Sequence, residues 1–206
     1  MKILALSDQV IDRIYTLAVS GHFDDIDLVI GCGDLPYPYL EYLVTVLRAP
    51  LFYVPGNHDP VVRENVPAAH VGGATNLDMD VVFKKGLILA GLGGSIRYRP
   101  DGVNMYSQEE MYRRMLGLMP RLLFNRVRHK RMLDILVTHS PPFGINDDDT
   151  HAHTGLKALN TLIRWTQPRY HLHGHNHFVR HNIEPCEARL GATKILNIFP
   201  YKVIEF

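Results

Sequence analysis

Cysteine is scarce: Cys32 and Cys186 are the only two in 206 residues. They form no Cys-x-x-Cys pair and cannot frame a disulfide scaffold, which fits a reducing cytoplasm. No apolar run approaches the ~20 residues of a membrane span, so no membrane insertion is expected. The short apolar run at residues 3–6 falls well below the length of a secretory leader. An excess of one charge is missing too. Lysine and arginine number 22 against 21 acidic residues, for a net charge of +1. That balance argues against a nucleic-acid coat or an acidic solvating tail and leaves room for a local basic patch. Internal repeats and linkers are absent, and residues 1–206, 46% of them apolar, suit a single domain with its own core. Histidine is the exception to this scarcity. There are 12, and eight of them follow residue 138: His139, His151, His153, His171, His173, His175, His177 and His181.

Short apolar runs alternate with amphipathic stretches. Residues 3–6, 28–30 and 51–54 read as buried strands, and residues 11–19 and 39–47 as helices, with Gly21 placed to end the first. Strand-helix-strand-helix-strand predicts right-handed crossovers and a parallel sheet. The middle differs. Residues 81–83 and 87–92 read as a hairpin around Lys84-Lys85-Gly86, and residues 107–119 as a helix with a Ser107/Glu110 capping box. Pro120 is expected to break or kink that helix. A strand at 135–137, a helix at 155–165, a strand at 170–173 and β-rich runs at 194–198 and 201–206 follow. The fold class is α/β with a partly antiparallel second sheet.

Five strands end in chemically similar ways. They run into Ser7-Asp8, into Gly31-Cys32-Gly33-Asp34, into Gly56-Asn57-His58-Asp59, into Thr138-His139, and into Gly174-His175-Asn176-His177. The carboxyl ends of strands are where open α/β sheets bind ligands. Convergent carboxylates, a carboxamide and imidazoles without thiolate suit Mn, Fe, Zn or Ni. Gly33, Gly56 and Gly174 stand where the chain must turn sharply and come close to bound ions.

These blocks, in this order and across most of the chain, resemble the calcineurin-like metallophosphoesterase superfamily. The resemblance implies a four-layer α/β/β/α sandwich, two mixed sheets flanked by helices, with a two-metal site at the carboxyl ends of the strands. It implies that Asp34 bridges both ions, that Asp8 and His177 serve the first, and that Asn57, His139 and His175 serve the second. Two divalent cations, manganese or iron ahead of zinc or nickel, would then generate hydroxide near neutral pH for in-line attack on a phosphate ester. His58 would face the scissile phosphate as acid or charge stabiliser, oriented by Asp59. One motif departs from the pattern. The family's first block is Asp-x-His, and here it reads Asp8-Gln9-Val10. Valine cannot coordinate, so the first ion is expected to bind more weakly unless water, Gln9 or Asp12 fills the gap.

Each residue also has a plainer reading. Asp8 could cap the helix that follows, and Asn57 and Asp59 could be turn residues. His171 and His173 read as strand residues, and His22, His70, His129 and His181 as surface histidines. Asp147-Asp148-Asp149 reads as a solvated loop that could overhang the site, while His153-Thr154-Gly155 resembles a His-x-Gly element of some members of the superfamily, which implies His153 as a substrate contact. Arg97 and Arg99 could bind phosphate oxygens or stand exposed. Residues 113–131 hold seven basic residues and no acid, as a solvated helix face, a subunit contact or a polyanion guide. The expected activity is hydrolysis of a small-molecule phosphate ester, a phosphodiester ahead of a monoester. A nuclease or a decayed scaffold on the same fold is the alternative, and a homo-oligomer is left open.

Overall fold

The computed structural model describes residues 1–60, 70–177 and 187–206. His181 and Cys186 lie outside them. In the first sheet β1 (Lys2–Leu6), β2 (Leu28–Gly31), β3 (Leu51–Tyr53) and β4 (Thr75–Asn76) run parallel, and β13 (Tyr201–Glu205) lies antiparallel beside β1. Helices α1 (Asp12–Val19) and α2 (Tyr37–Val46) make the crossovers. The second sheet has a parallel centre of β6 (Leu87–Leu92), β9 (Ile135–Thr138), β10 (Tyr170–His173) and β12 (Thr193–Asn197). Its edges, β5 (Val81–Lys84) and β11 (Glu187–Leu190), are antiparallel, and α3 (Gln108–His129) and α4 (Lys157–Thr166) belong to this half. A small parallel pair, β7 (Ser95–Ile96) with β8 (Met105–Tyr106), completes the strands.

Alternation along the strands builds the four layers. Side chains of a strand point to opposite faces in turn, so Ile3 and Ala5 join the cluster between the sheets while Leu4 and Leu6 join the one that includes residues of α1 and α2. In the second sheet Leu89, Ile135 and Val137 face the first, and Ile88, Ala90 and Leu136 pack with Met111, Met115 and Leu159 of α3 and α4. Buried on both faces, these strands read as unbroken apolar runs.

The capping box is present: Glu110 N donates to Ser107 Oγ at 3.2 Å and Ser107 N to Glu110 Oε2 at 2.7 Å. The break expected at Pro120 is not, because α3 continues to His129. Met111, Met115, Leu118 and Leu122 anchor the helix on both sides of the proline, which sits on the exposed face. There the one carbonyl deprived of its amide can be satisfied by water.

Candidate metal centre

The parallel strands of both sheets end at one cleft. Asp8 follows β1, Asp34 follows β2, Asn57 and His58 follow β3, His139 follows β9, and His175 and His177 follow β10. A cavity of about 270 Å³ is lined by Asp8, Asp34, Asn57, His58, His175 and His177, joined by Tyr98, Ala152 and His153. Three of the candidate ligands, Asp8 (φ 64°), Asp34 (φ 54°) and His175 (φ 69°), hold left-handed backbone conformations. Non-glycine residues occupy that region at a cost, and such strain concentrates at functional sites. Two glycines permit the close approach. A Cβ on Gly56 would lie 2.0 Å from Asp34 Oδ1, and one on Gly174 would lie 1.7 Å from Ser7 Oγ.

Hydrogen bonds fix the imidazoles. His139 is fully buried, and its Nδ1 donates to the Cys32 carbonyl at 2.9 Å. A carbonyl can only accept, so the neutral ring presents a lone pair at Nε2. That atom faces Asn57 Oδ1 at 3.0 Å, His175 Nδ1 at 3.0 Å and Asp34 Oδ2 at 3.2 Å. His175 Nε2 donates to the Ala152 carbonyl at 2.9 Å, which leaves its Nδ1 as a second lone pair. Asn57 Nδ2 donates to the Tyr98 hydroxyl at 3.2 Å and so turns Oδ1 inward. Four acceptors thus converge with no hydrogen between them, an arrangement that calls for a cation. Asp34, His139 and His175 offer ligand atoms within 4.8 Å of one another. Nitrogen and oxygen donors of this kind fit a divalent first-row metal, and the carbonyl partners behind the rings orient them as in metal sites generally.

The electrostatics carry the same imprint. Without a metal, burial depresses His139, but the adjacent Asp34 carboxylate outweighs it and raises the ring to about 9. A proton on that ring then supplies the positive charge the cluster calls for. Burial raises Asp34, and His139 overcomes it to bring the carboxyl to about 2. His175, buried beside His139, falls to about 3. Burial pushes the Cys32 thiol well up, with the Asp8 charge adding to it, so it is held as a thiol.

The first-ion set is sparser. Asp8 accepts from His175 N at 3.0 Å and from Ser7 Oγ, and His177 Nε2 stands 3.4 Å from Asp8 Oδ1. The His177 ring stacks on Phe199 with centroids 4.3 Å apart. Val10 packs against the apolar cluster of α1 and α2, while Gln9 and Asp12 are exposed and absent from the cleft lining. Asp8 does not cap α1, whose N-cap position is Ile11.

Several expected roles shift. Asp59 Oδ2 accepts from Asp34 N and Gly56 N, both at 2.8 Å, so it ties two site loops together. His58 is exposed at the cleft, and its backbone N donates to Asp34 Oδ1 at 2.8 Å. His153 does reach the cleft, 5.3 Å between ring centroids from His175, held by Thr150 Oγ1 at 2.7 Å. Arg97 is not in the lining. It pairs with Glu110 at 2.8 Å and donates to the Met105 carbonyl at 3.1 Å. The next residue, Tyr98, lines the cleft in its place. Only its position beside the glycine-rich turn at 91–94 could have marked it.

Known proteins of similar sequence and shape share this family and fold. The model for the calcineurin-like phosphoesterase family matches residues 1–179. An uncharacterized protein of Methanocaldococcus jannaschii is 26% identical over 212 residues, covering 97% of this chain and 88% of the relative. The crystal structure of TT1561 of Thermus thermophilus superposes with a TM-score of 0.61 at 19% identity, covering 96% of this chain and 88% of that one. Another crystal structure reaches a TM-score of 0.68 at 14% identity, over 100% and 98% of the two chains. Fold, convergent donor set and family match together make the chain a member of the calcineurin-like phosphoesterase family.

Proposed function

We propose that the protein is a metal-dependent phosphodiesterase of the cytoplasm, acting on a small-molecule ester. The observation that carries the diester preference is room beside the cleft at two separate pairs of its lining residues. One neighbouring cavity of about 370 Å³ shares Asp34 and His58 with it and is otherwise lined by Leu35, Pro36, Pro38 and Pro60 among others. Another of about 450 Å³ shares His153 and His177 and adds Asp147, Asp148, Asp149 and Asn176. A phosphate held in the cleft would have these two neighbouring spaces for its two ester substituents.

Asn57, His139 and His175 with Asp34 would hold one divalent ion, and Asp8, Asp34 and His177 a weaker second, manganese or iron ahead of zinc or nickel. Bound ions there would supply Lewis-acid charge and lower the pKa of water. The chain's own contribution is positional. Asp59 pins the Asp34 and Asn57 loops, Tyr98 aims the Asn57 carboxamide, and the Cys32 and Ala152 carbonyls set both imidazole tautomers. His58, exposed at the cleft, is the group suited to give a proton to the departing oxygen, and His153 is suited to contact an ester substituent.

The nuclease alternative finds less support. Arg114, Arg121 and Arg131 of the basic segment are committed to Asp78, Asp80 and Asp134, and the Asp147–149 loop beside the cleft would repel a polyanion. The test compares bis(p-nitrophenyl) phosphate with p-nitrophenyl phosphate in added Mn²⁺. A kcat/KM favouring the diester about tenfold is expected, and a preference for the monoester would overturn the reading.

A further inference from the structure

The cleft offers an anion few side-chain hydrogens. No lysine or arginine lines it among the described residues. Asp8 and Asp34 can only accept when ionised. His175 spends its Nε2 hydrogen on the Ala152 carbonyl, and Asn57 Nδ2 donates to the Tyr98 hydroxyl at 3.2 Å. Charge that develops on phosphate oxygens is stabilised by aimed hydrogen-bond donors as well as by cations.

The Tyr98 hydroxyl is such a donor. A phenolic O–H can accept and donate at once. Its oxygen accepts from Asn57 Nδ2, so its own hydrogen is directed elsewhere, and no side chain or carbonyl takes that hydrogen among the described residues. Tyr98 is half-buried and lines the cleft with Asp34, Asn57 and His58. The carboxamide it receives from turns Oδ1 to within 3.0 Å of His139 Nε2. The hydroxyl therefore stands one amide group away from the convergent acceptors.

The segment that carries Tyr98 is tied down on both sides. Arg97 N donates to the Tyr106 carbonyl at 3.0 Å, and its guanidinium pairs with Glu110 at 2.8 Å and donates to the Met105 carbonyl at 3.1 Å. Asn104 Nδ2 donates to the carbonyls of Gly56 at 2.9 Å and Asp59 at 3.1 Å, and Gly94 N to that of Pro55 at 2.8 Å. Residues 94–104 are thus fastened to the loop that bears Asn57 and His58. The Arg99 guanidinium lies over the Tyr98 ring, 5.2 Å from its centroid. A donor fixed before the substrate arrives needs no reorganisation as charge develops.

We propose that Tyr98 is a further catalytic residue, its hydroxyl donating to a non-bridging oxygen of the phosphoryl group held in the cleft. The proposal rests on the phosphoesterase reading. Within it, His58 serves the departing oxygen and Tyr98 an oxygen that stays on phosphorus. The hydrogen remains on the phenol throughout. Arg97 acts behind this contact: it does not bind phosphate, and its bonds to Glu110 and Met105 fix the neighbour that does.

Tyr98→Phe in the full chain keeps the ring and removes the hydroxyl. At saturating Mn²⁺, inorganic phosphate should bind the variant about tenfold more weakly than the wild type in calorimetry. Turnover of the phosphodiester should fall about 10²-fold in kcat, with the thermal midpoint unchanged. Elemental analysis of the same samples separates this role from one exerted through Asn57 alone. A hydroxyl that only aims the carboxamide would lower metal affinity, and both losses would vanish once Mn²⁺ fills the sites; that result overturns the proposal. Equal phosphate affinity in the two proteins, absence of binding to both included, overturns it as well. A wild type that turns over neither ester would count against the phosphoesterase reading, and the two phosphate affinities would still decide for or against Tyr98.

Discussion

His139, on the second sheet, donates through Nδ1 to the carbonyl of Cys32, on the first, at 2.9 Å. This one bond decides which nitrogen is offered to the cleft. His139→Ala should lower metal occupancy at the Asn57/His175 site by at least ~10-fold, measured by equilibrium dialysis with elemental analysis. Changing a group that merely orients a ligand already costs about 10–100-fold in affinity, so loss of the ligand itself should do no less. Unchanged occupancy would remove His139 from the donor set.

The two ions should differ in affinity. Val10 faces apolar neighbours, and neither Gln9 nor Asp12 lines the cleft. A calorimetric titration with Mn²⁺ should resolve two steps, the weaker disappearing in Asp8→Asn. A single step of two equivalent ions would contradict the unequal sites.

Asp59 acts on the loops. Its carboxylate satisfies two backbone amides, and burial, partly offset by the Gly56 N–H, raises it to about 6 without metal. Asp59→Ala strands both donors and should cost about 2–4 kcal/mol in chemical denaturation, with a fall in turnover. Asp59→Asn keeps an acceptor and should cost less. His58→Ala should behave in the opposite way, leaving the thermal midpoint and metal content unchanged while kcat falls about 10²–10⁴-fold.

Acid sensitivity should arise in β10. The His171 ring meets Thr138 Oγ1 at 2.7 Å, that hydroxyl is committed to the Ser140 carbonyl at 2.6 Å, and His171 Nδ1 has no partner among the described residues. Protonation would bury a charge and an orphan donor. Burial, followed by the nearby His173, holds this imidazole well below its usual value. The unfolded chain takes up the proton near pH 6.5 and the folded one does not. Stability is therefore complete above ~6.5 and falls below it, by up to about 1.4 kcal/mol per pH unit. In His171→Gln the difference in unfolding free energy between pH 7 and pH 5 should shrink. An unaltered difference would place the acid sensitivity elsewhere.

Much of the centre was legible because its donors terminate buried strands. Apolar runs at residues 3–6, 28–30, 51–54 and 135–137 announce strands, and Asp8, Asp34, Asn57 and His139 follow them directly. The groups that orient the donors were not legible. The carbonyls of Cys32 and Ala152 carry no side-chain signature, and Tyr98 is one aromatic among ten tyrosines. Arg97 misled because a basic residue after a glycine turn suits phosphate equally well. Its commitment to Glu110 depends on where α3 begins in space. Pro120 does not end α3, because the packing of Met111, Met115, Leu118 and Leu122 around it holds the helix together.

The apolar layer between the sheets has a consequence for the cleft. Asp8, Asp34 and Asn57 hang from one sheet, His139 and His175 from the other, and Ile3, Ala5, Ile30, Leu89, Val137 and Leu172 fill the space between. That filling works as a calliper: its thickness sets the span across which the two groups of donors face each other. A methyl group removed far from any ion changes the setting, so the core and the chemistry of this protein share one dimension.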